Sequence, residues 1–235
     1  MRTARRRVRF AVVGLGHLSQ VAVLPAFAHA KASCELVALV SSDPKKLRVL
    51  GKRYGVEHLG PYEGLEELIQ AAEVDAVYVA TPNDSHREFT ERSMAAGAHV
   101  LCEKPMAMSV EDCEAMNAAA KRFNRKLMIA YRLHFEEATL RAIDTVKSGK
   151  LGELRYFSSS FSHQIRRGDI RTKAAVGGGA LADVRVLQAI AQSALTGMPV
   201  MLAPQPPKRR PNVNQALKRP PVRKPKLINV RSPSL

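Results

Sequence analysis

The amino-acid sequence reads as an α/β protein: a doubly wound parallel sheet, then an incomplete α+β unit, then a tail expected to be disordered. Three observations predict this. Short apolar runs rich in β-branched residues alternate with helical segments from residue 8 to residue 130. Glycines, prolines and polar corners follow several of those runs, where a parallel sheet places its strand ends. After Asp183 the chain continues for 52 residues without one Asp or Glu, and the second unit never finishes.

Val8–Val13 is a short buried run that ends in glycines and forms the first strand. A helix follows from about His17 to Ala30, and Pro25 inside it bends it or delays its regular start. Cys34–Val40 is the second strand. Asp43-Pro44 then supplies an N-cap and a proline at the first helical position, opening a helix to about Tyr54. Leu65–Ala72 makes the next helix and Ala76–Ala80 the next strand. Ser85–Ala96 is helical, and Gly97 leads into the strand His99–Cys102. Ser109-Val110-Glu111-Asp112 has the form of a helix cap, with the helix reaching about Phe123. Leu127–Ala130 is the last strand of this series. A helix over about Glu136–Ser148, a half-exposed strand at Leu154–Ser162, and Gly177-Gly178-Gly179 before a helix containing Asp183 open the second unit. The organisation is therefore a basic arm (1–7), a dinucleotide-binding domain (8–130), a partial substrate or oligomerisation domain (131–187) and a Pro/Lys/Arg-rich tail (188–235).

The net charge of +16 suggests a nucleic-acid partner until it is divided by region. Arg2, Arg5, Arg6, Arg7 and Arg9 crowd the start, and ten Lys and Arg follow Asp183. Residues 10–183 hold 22 basic and 21 acidic side chains, so the body is nearly neutral. The first residues read as a solvated arm on strand one rather than a signal, because no apolar segment of signal length follows. Nine of the 14 prolines lie in residues 199–235, a composition with little to bury and no capacity for helix. Cys34, Cys102 and Cys113 have no paired spacing, which points to reduced thiols and a cytoplasmic protein. No run approaches the ~20 apolar residues that span a membrane, and no Cys/His cluster has metal spacing, so no metal is expected.

Chemistry gathers at the strand ends. Gly14-Leu15-Gly16-His17-Leu18-Ser19 is a glycine turn with serine in place of a third glycine. Such a turn lets a pyrophosphate approach the backbone and the free N–H groups of a helix start. Ser41, Ser42 and Lys46 at the tip of strand two would welcome a 2′-phosphate, which favours NADP over NAD. Asp43 opposes this, but its place before Pro44 occupies it as a cap. Thr81-Pro82-Asn83 forms a corner at the next strand end. His86, taken alone, reads as a surface residue at a helix start. Glu103-Lys104-Pro105 follows the strand His99–Cys102, and proline there restricts the backbone of Lys104. An ammonium at that point would hold a substrate hydroxyl and stabilise an alkoxide as hydride leaves carbon.

Gly14–His17, Ala80–His86, Cys102–Pro105 and Gly177–Asp183 resemble, in order, the signatures of the Gfo/Idh/MocA oxidoreductases. Gln20–Phe27, Ser41–Pro44 and Tyr131–Phe135 are most similar to the glucose–fructose oxidoreductase branch. The resemblance covers residues 8–184. It implies a Rossmann domain followed by a large open, mostly antiparallel sheet, assembly into dimers or tetramers, and NAD(P)-dependent oxidation or reduction of sugars and polyols. It implies catalytic roles for Lys104 and Asp183. The cofactor would be held by Gly14, Leu15, Gly16, His17, Leu18, Ser41, Ser42, Lys46, Thr81, Pro82, Asn83, His86, Glu103, Lys104 and Arg132. The sequence departs from the family after Asp183. Arg185 stands where the family carries glycine, and Leu187 where it carries a proton-transferring His or Tyr. A second domain truncated or frame-shifted after about residue 184 is the expectation, with activity and oligomerisation impaired accordingly. The rival function is a non-catalytic dinucleotide-binding protein whose basic ends hold nucleic acid.

Overall fold

The computed structural model of the chain describes residues 6–153 and 226–229. Six strands form one parallel sheet in the order β3-β2-β1-β4-β5-β6. They are β1 (Val8–Val13), β2 (Cys34–Val40), β3 (His58–Gly60), β4 (Ala76–Val79), β5 (His99–Cys102) and β6 (Leu127–Ile129). The helices are α1 (Leu24–His29), α2 (Pro44–Tyr54), α3 (Leu65–Ala71), α4 (His86–Ala95), α5 (Val110–Arg122) and α6 (Glu137–Lys147). Because parallel crossovers are right-handed, reversing direction after β3 places α1 and α2 on one face and α3, α4 and α5 on the other.

Alternation along the strands sorts the core into two layers. Ala11, Val13, Val77, Val79, Val100 and Cys102 pack with Leu65, Phe89, Met94 and Met116. Val12 and Leu39 point the other way, into Leu15, Leu24 and Leu50. Burial on both faces is the reason these strands read as continuous apolar runs rather than as alternation.

Local chemistry sets the helix starts. Asp43 Oδ1 accepts from the backbone N–H of Lys45 (2.9 Å) and of Lys46 (3.1 Å), with Pro44 at the first helical position. Ser109 Oγ accepts from Asp112 N at 3.1 Å. The helix after the glycine turn is irregular, as Pro25 predicts: Ser19–Val23 is a π-helical stretch, and regular α-helix begins at Leu24.

Two findings, β3 and His86, correct the sequence expectations. The edge strand β3 was not anticipated; its pairing with Ala38–Val40 defines it, since two of its three residues are exposed. Arg6 and Arg7, the described end of the basic arm, are exposed, and each reaches an acid at the surface: Arg6 pairs with Asp75 at 2.8 Å and Arg7 with Glu35 at 2.9 Å. His86 is not a surface residue but fully buried. The strand at Leu154–Ser162, Gly177–Gly179, Asp183 and most of the tail lie outside the described residues. Lys226–Asn229, inside the stretch expected to lack structure, lies against α1 and α2 through Ile228.

Candidate functional site

Backbone hydrogen bonds bring the carboxyl ends of the strands to one edge. Gly14 N donates to Val40 O (3.0 Å), Ala80 N to Val13 O (2.8 Å), Glu103 N to Val79 O (2.9 Å) and Ala130 N to Cys102 O (2.8 Å). These bonds place the glycine turn, the tip of β2, the Thr81–Asn83 corner and Lys104 along one rim.

At the glycine turn, Gly14 has φ +93°, and a Cβ there would lie 2.6 Å from Ala80 O. Only glycine fits so close a crossing of β1 and β4. Gly16 is exposed, and a Cβ there would meet nothing within 4 Å, so its backbone faces open space. Ser19 is buried, and its hydroxyl donates to Gly14 O, which suits serine to the third position of the pattern. Helical backbone begins at His17, and Gln20 N already donates to Gly16 O at 3.2 Å, so it is the N–H groups before Gln20 that a helix start of this kind offers to an anion. Leu15 is buried and offers only backbone, while Leu18 is exposed and His17 half-buried.

At the tip of β2 the two serines differ. Ser41 is buried and its Oγ accepts from Asp43 N at 3.2 Å; Ser42 is exposed. Lys46 Nζ lies 4.0 Å from Asp43 Oδ2. Hydrogen bonds, that from Asn229 first, hold the Asp43 carboxyl below its ordinary range. The aspartate is thus engaged by its neighbours, as expected of a cap.

Around Lys104 the supports are of a different kind. Glu103 Oε1 accepts from Tyr78 OH at 2.7 Å, and Glu103 Oε2 from Lys104 N at 3.2 Å. Burial, with the Glu103 charge added, raises the Tyr78 hydroxyl well above its ordinary range, so it stays a donor. His86 has both ring nitrogens in contact with carbonyls, Nδ1 with Pro105 O at 2.8 Å and Nε2 with Thr81 O at 3.1 Å. It ties the two loops together. Thr81 Oγ1 is buried without a hydrogen-bond partner among the described residues. Lys104 and Arg132 are exposed, the latter on the 3-10 turn Arg132–Phe135. Cys102, directly before Glu103, is pushed up to about 12 by burial and stays an inert thiol.

Gly14, Gly16, Ser42, Lys46, Thr81, Glu103 and Lys104 are therefore brought to one rim, with the donors and open backbone that fit a dinucleotide. Asp183, Arg185 and Leu187 lie outside the described residues. Two supporting side chains escaped the sequence reading. Tyr78 pairs in register with Leu101, which puts Glu103 on the same face two residues on; knowledge of the β4–β5 pairing would have revealed it. Gln20, buried beneath the glycine turn, opens the branch-like stretch Gln20–Phe27, but that resemblance assigned it no partner. No group of three His, Cys, Asp or Glu among the described residues could hold a metal ion. No helix among them is long and apolar enough to cross a membrane.

Residues 8–131 match the oxidoreductase family with an NAD-binding Rossmann fold, Gfo/Idh/MocA. The chain is 36% identical over 159 residues to the D-xylose 1-dehydrogenase [NADP(+)] of Haloarcula marismortui, covering 67% of this chain and 44% of that protein. The aldose-aldose oxidoreductase from Caulobacter crescentus, solved with glycerol, superposes with a TM-score of 0.67 at 40% identity. That match covers 82% of this chain and 58% of the other. A 3-ketoreductase from Actinomadura kijaniata, solved with NADP and TDP-benzene, gives a TM-score of 0.68 at 32% identity, covering 80% and 57%. The chain spans about half the length of the curated relatives it matches.

Proposed function

The chain belongs to the Gfo/Idh/MocA oxidoreductase family, and on that premise we propose an NADP-preferring oxidoreductase acting on a sugar or polyol. Hydride would move between the cofactor and a carbinol or carbonyl carbon. The observation that carries this is the placement of Lys104 on the same rim as the open Gly16 turn and the Ser42–Lys46 corner. Names of relatives agree in kind: one dehydrogenates D-xylose with NADP(+), another is an aldose-aldose oxidoreductase.

The bound nicotinamide supplies the hydride acceptor or donor. Lys104 would hydrogen-bond the substrate oxygen and stabilise negative charge on it as the C–H bond breaks. Glu103, fixed by Tyr78 and by the Lys104 amide, holds the turn that carries the lysine. Thr81, Pro82 and Asn83 would border the nicotinamide half, and Arg132 would approach from the turn after β6. Asp183 is proposed to support proton movement from the second unit, residues 131–187. Leu187 has no exchangeable proton, and loss of a general acid–base group typically costs ~10²–10⁴-fold. Turnover is therefore expected far below that of a relative with a His or Tyr at the position of Leu187.

Titration of NADPH and NADH by fluorescence tests the cofactor assignment: tighter NADPH binding is expected, and equal or reversed affinities refute it. Screening aldoses and polyols with NADP tests the substrate class. Lys104→Met should abolish any turnover found while leaving NADPH bound, and a variant as active as its parent removes the role given to Lys104. At the amino end Arg6 and Arg7 are exposed although each pairs with an acid, whereas Arg9 donates to Ala72 O and Glu73 O.

A further inference from the structure

We propose, resting on the NADP assignment above, that the groove between α1 and α2 is the docking site of the chain's own segment Lys226–Asn229. We propose further that Asn229 acts through Asp43 to bias the ribose corner toward a 2′-phosphate. It would be a specificity-determining residue some 190 positions from the strand tip it serves.

Every residue of the segment except Leu227 makes a described polar contact. Lys226 O accepts from Arg53 Nη1 at 2.8 Å, in the last turn of α2. Ile228 N donates to Gln20 Oε1 at 2.7 Å, and Ile228 O accepts from Gln20 Nε2 at 2.9 Å. The amide of Gln20 thus pairs with one residue in both directions, as a neighbouring strand would. Its remaining donor reaches Leu15 O at 3.0 Å. A buried glutamine has two N–H donors and a carbonyl to satisfy, and here all are used. Without the segment, a polar amide beneath the glycine turn would lose two of its three partners. The Ile228 side chain meanwhile packs on the apolar layer of Leu24, Leu39 and Leu50. The groove therefore fits an extended peptide with an aliphatic residue opposite Gln20, and this chain carries one.

Asn229 then reaches the cofactor corner. Its backbone is left-handed, φ +47°, a conformation asparagine tolerates better than most residues. Its Nδ2 donates to Asp43 Oδ2 at 2.9 Å. Asp43 Oδ1 is already occupied by the N–H groups of Lys45 and Lys46, so Asn229 engages the oxygen that the cap leaves over. A free carboxylate oxygen at the tip of the second strand would accept a ribose 2′-hydroxyl and repel a 2′-phosphate. The bond from Asn229 leaves the carboxylate charged but withdraws Oδ2 from a ribose 2′-hydroxyl, so the bias acts by weakening NAD, while Ser42 and Lys46 offer donors to the phosphate of NADP.

The test uses the full chain and two variants. Asn229→Gly keeps the left-handed backbone and removes only the amide; Ile228→Glu expels the segment. Amide exchange at Ile228 reports docking, and titration with NADPH and NADH reports preference. In the parent the Ile228 amide should exchange slowly. Asn229→Gly should keep that protection and lower the NADPH-to-NADH affinity ratio by about two- to tenfold, the range of one hydrogen bond. Ile228→Glu should lose both. Free exchange of the Ile228 amide in the parent overturns the docking. A protected amide with an unchanged ratio in Asn229→Gly overturns the specificity role, as does an equal gain for both cofactors, which would mark the segment as an obstruction. A parent that binds neither cofactor while its Ile228 amide stays protected refutes the NADP assignment and the specificity role together, and leaves the docked segment standing.

Discussion

Gly14 shows how one residue decides whether the rim can exist. Its φ of +93° and the Ala80 carbonyl 2.6 Å from where a Cβ would sit exclude every side chain. Gly14→Ala should destabilise the domain by about 2–4 kcal/mol, combining left-handed strain with backbone overpacking, and should weaken NADPH binding as β1 and β4 separate. Denaturant midpoints and cofactor titration measure both. A fully stable variant would mean that the strand ends are not held as described. Gly16, two residues on, carries no such restriction in the protein itself; under the proposed function its demand would come from the ligand. The sequence pattern treats the two glycines alike, and the separation of their roles needs the Ala80 contact. Glu103 is a parallel case. Its neighbour Lys104 is conspicuous in sequence, but the Tyr78 hydroxyl that orients it comes from another strand.

At the scale of elements, the readable features were those that local chemistry decides. Asp43-Pro44 and Ser109 cap helices as their sequences suggest, and β2 and β5 run over the expected residues. What sequence could not supply was whatever depends on a distant neighbour. His58-Leu59-Gly60 has no apolar period, and only pairing with β2 makes it a strand. Gln20 lies on a π-helical stretch that no propensity marks. Removing a cap tests the local account: Ser109→Ala should cost about 1 kcal/mol without altering cofactor affinity. The α3–α4 pair tests the distant one. Arg92 donates Nε to Glu66 Oε1 at 2.6 Å and Nη2 to Glu66 Oε2 at 2.7 Å, and this fork holds the Glu66 carboxyl below its ordinary value of 4.5. A depressed carboxyl contributes stability above its unfolded value and loses it as pH falls through the folded value. The stability gap between the parent and Glu66→Gln should be full near pH 7 and close toward strongly acid pH. A gap unchanged down to the acid end would show that the charge is not the cause.

On the scale of the whole molecule, the sheet is covered unequally. α3, α4 and α5 bury one face from β1 to β5, with Leu127 and Ile129 of β6 partly buried there, whereas α1 and α2 lie over β1, β2 and β3 on the other, leaving Met128 of β6 46% exposed among the described residues. The cofactor rim belongs to the well-packed part, and its loops are tied to one another through His86, Tyr78 and Gln20. Binding there should therefore be felt by the sheet as a unit rather than by one loop. A ligand at a hundred times its dissociation constant stabilises the folded state by about 2.7 kcal/mol. For a chain of this size that corresponds to a rise of about 5–11 °C in the midpoint of thermal unfolding. NADPH should produce such a shift, and NADH at the same concentration a smaller one, because it lacks the phosphate that Ser42 and Lys46 would hold. Calorimetry with each cofactor, at equal ionic strength, separates this from general charge effects. If inorganic phosphate at matched ionic strength raised the midpoint as much as NADPH does, stabilisation would come from anion binding at the helix start alone. The dinucleotide would then have no claim on the rim beyond its pyrophosphate. If NADPH exceeds both NADH and phosphate, the 2′-corner and the glycine turn act as one site.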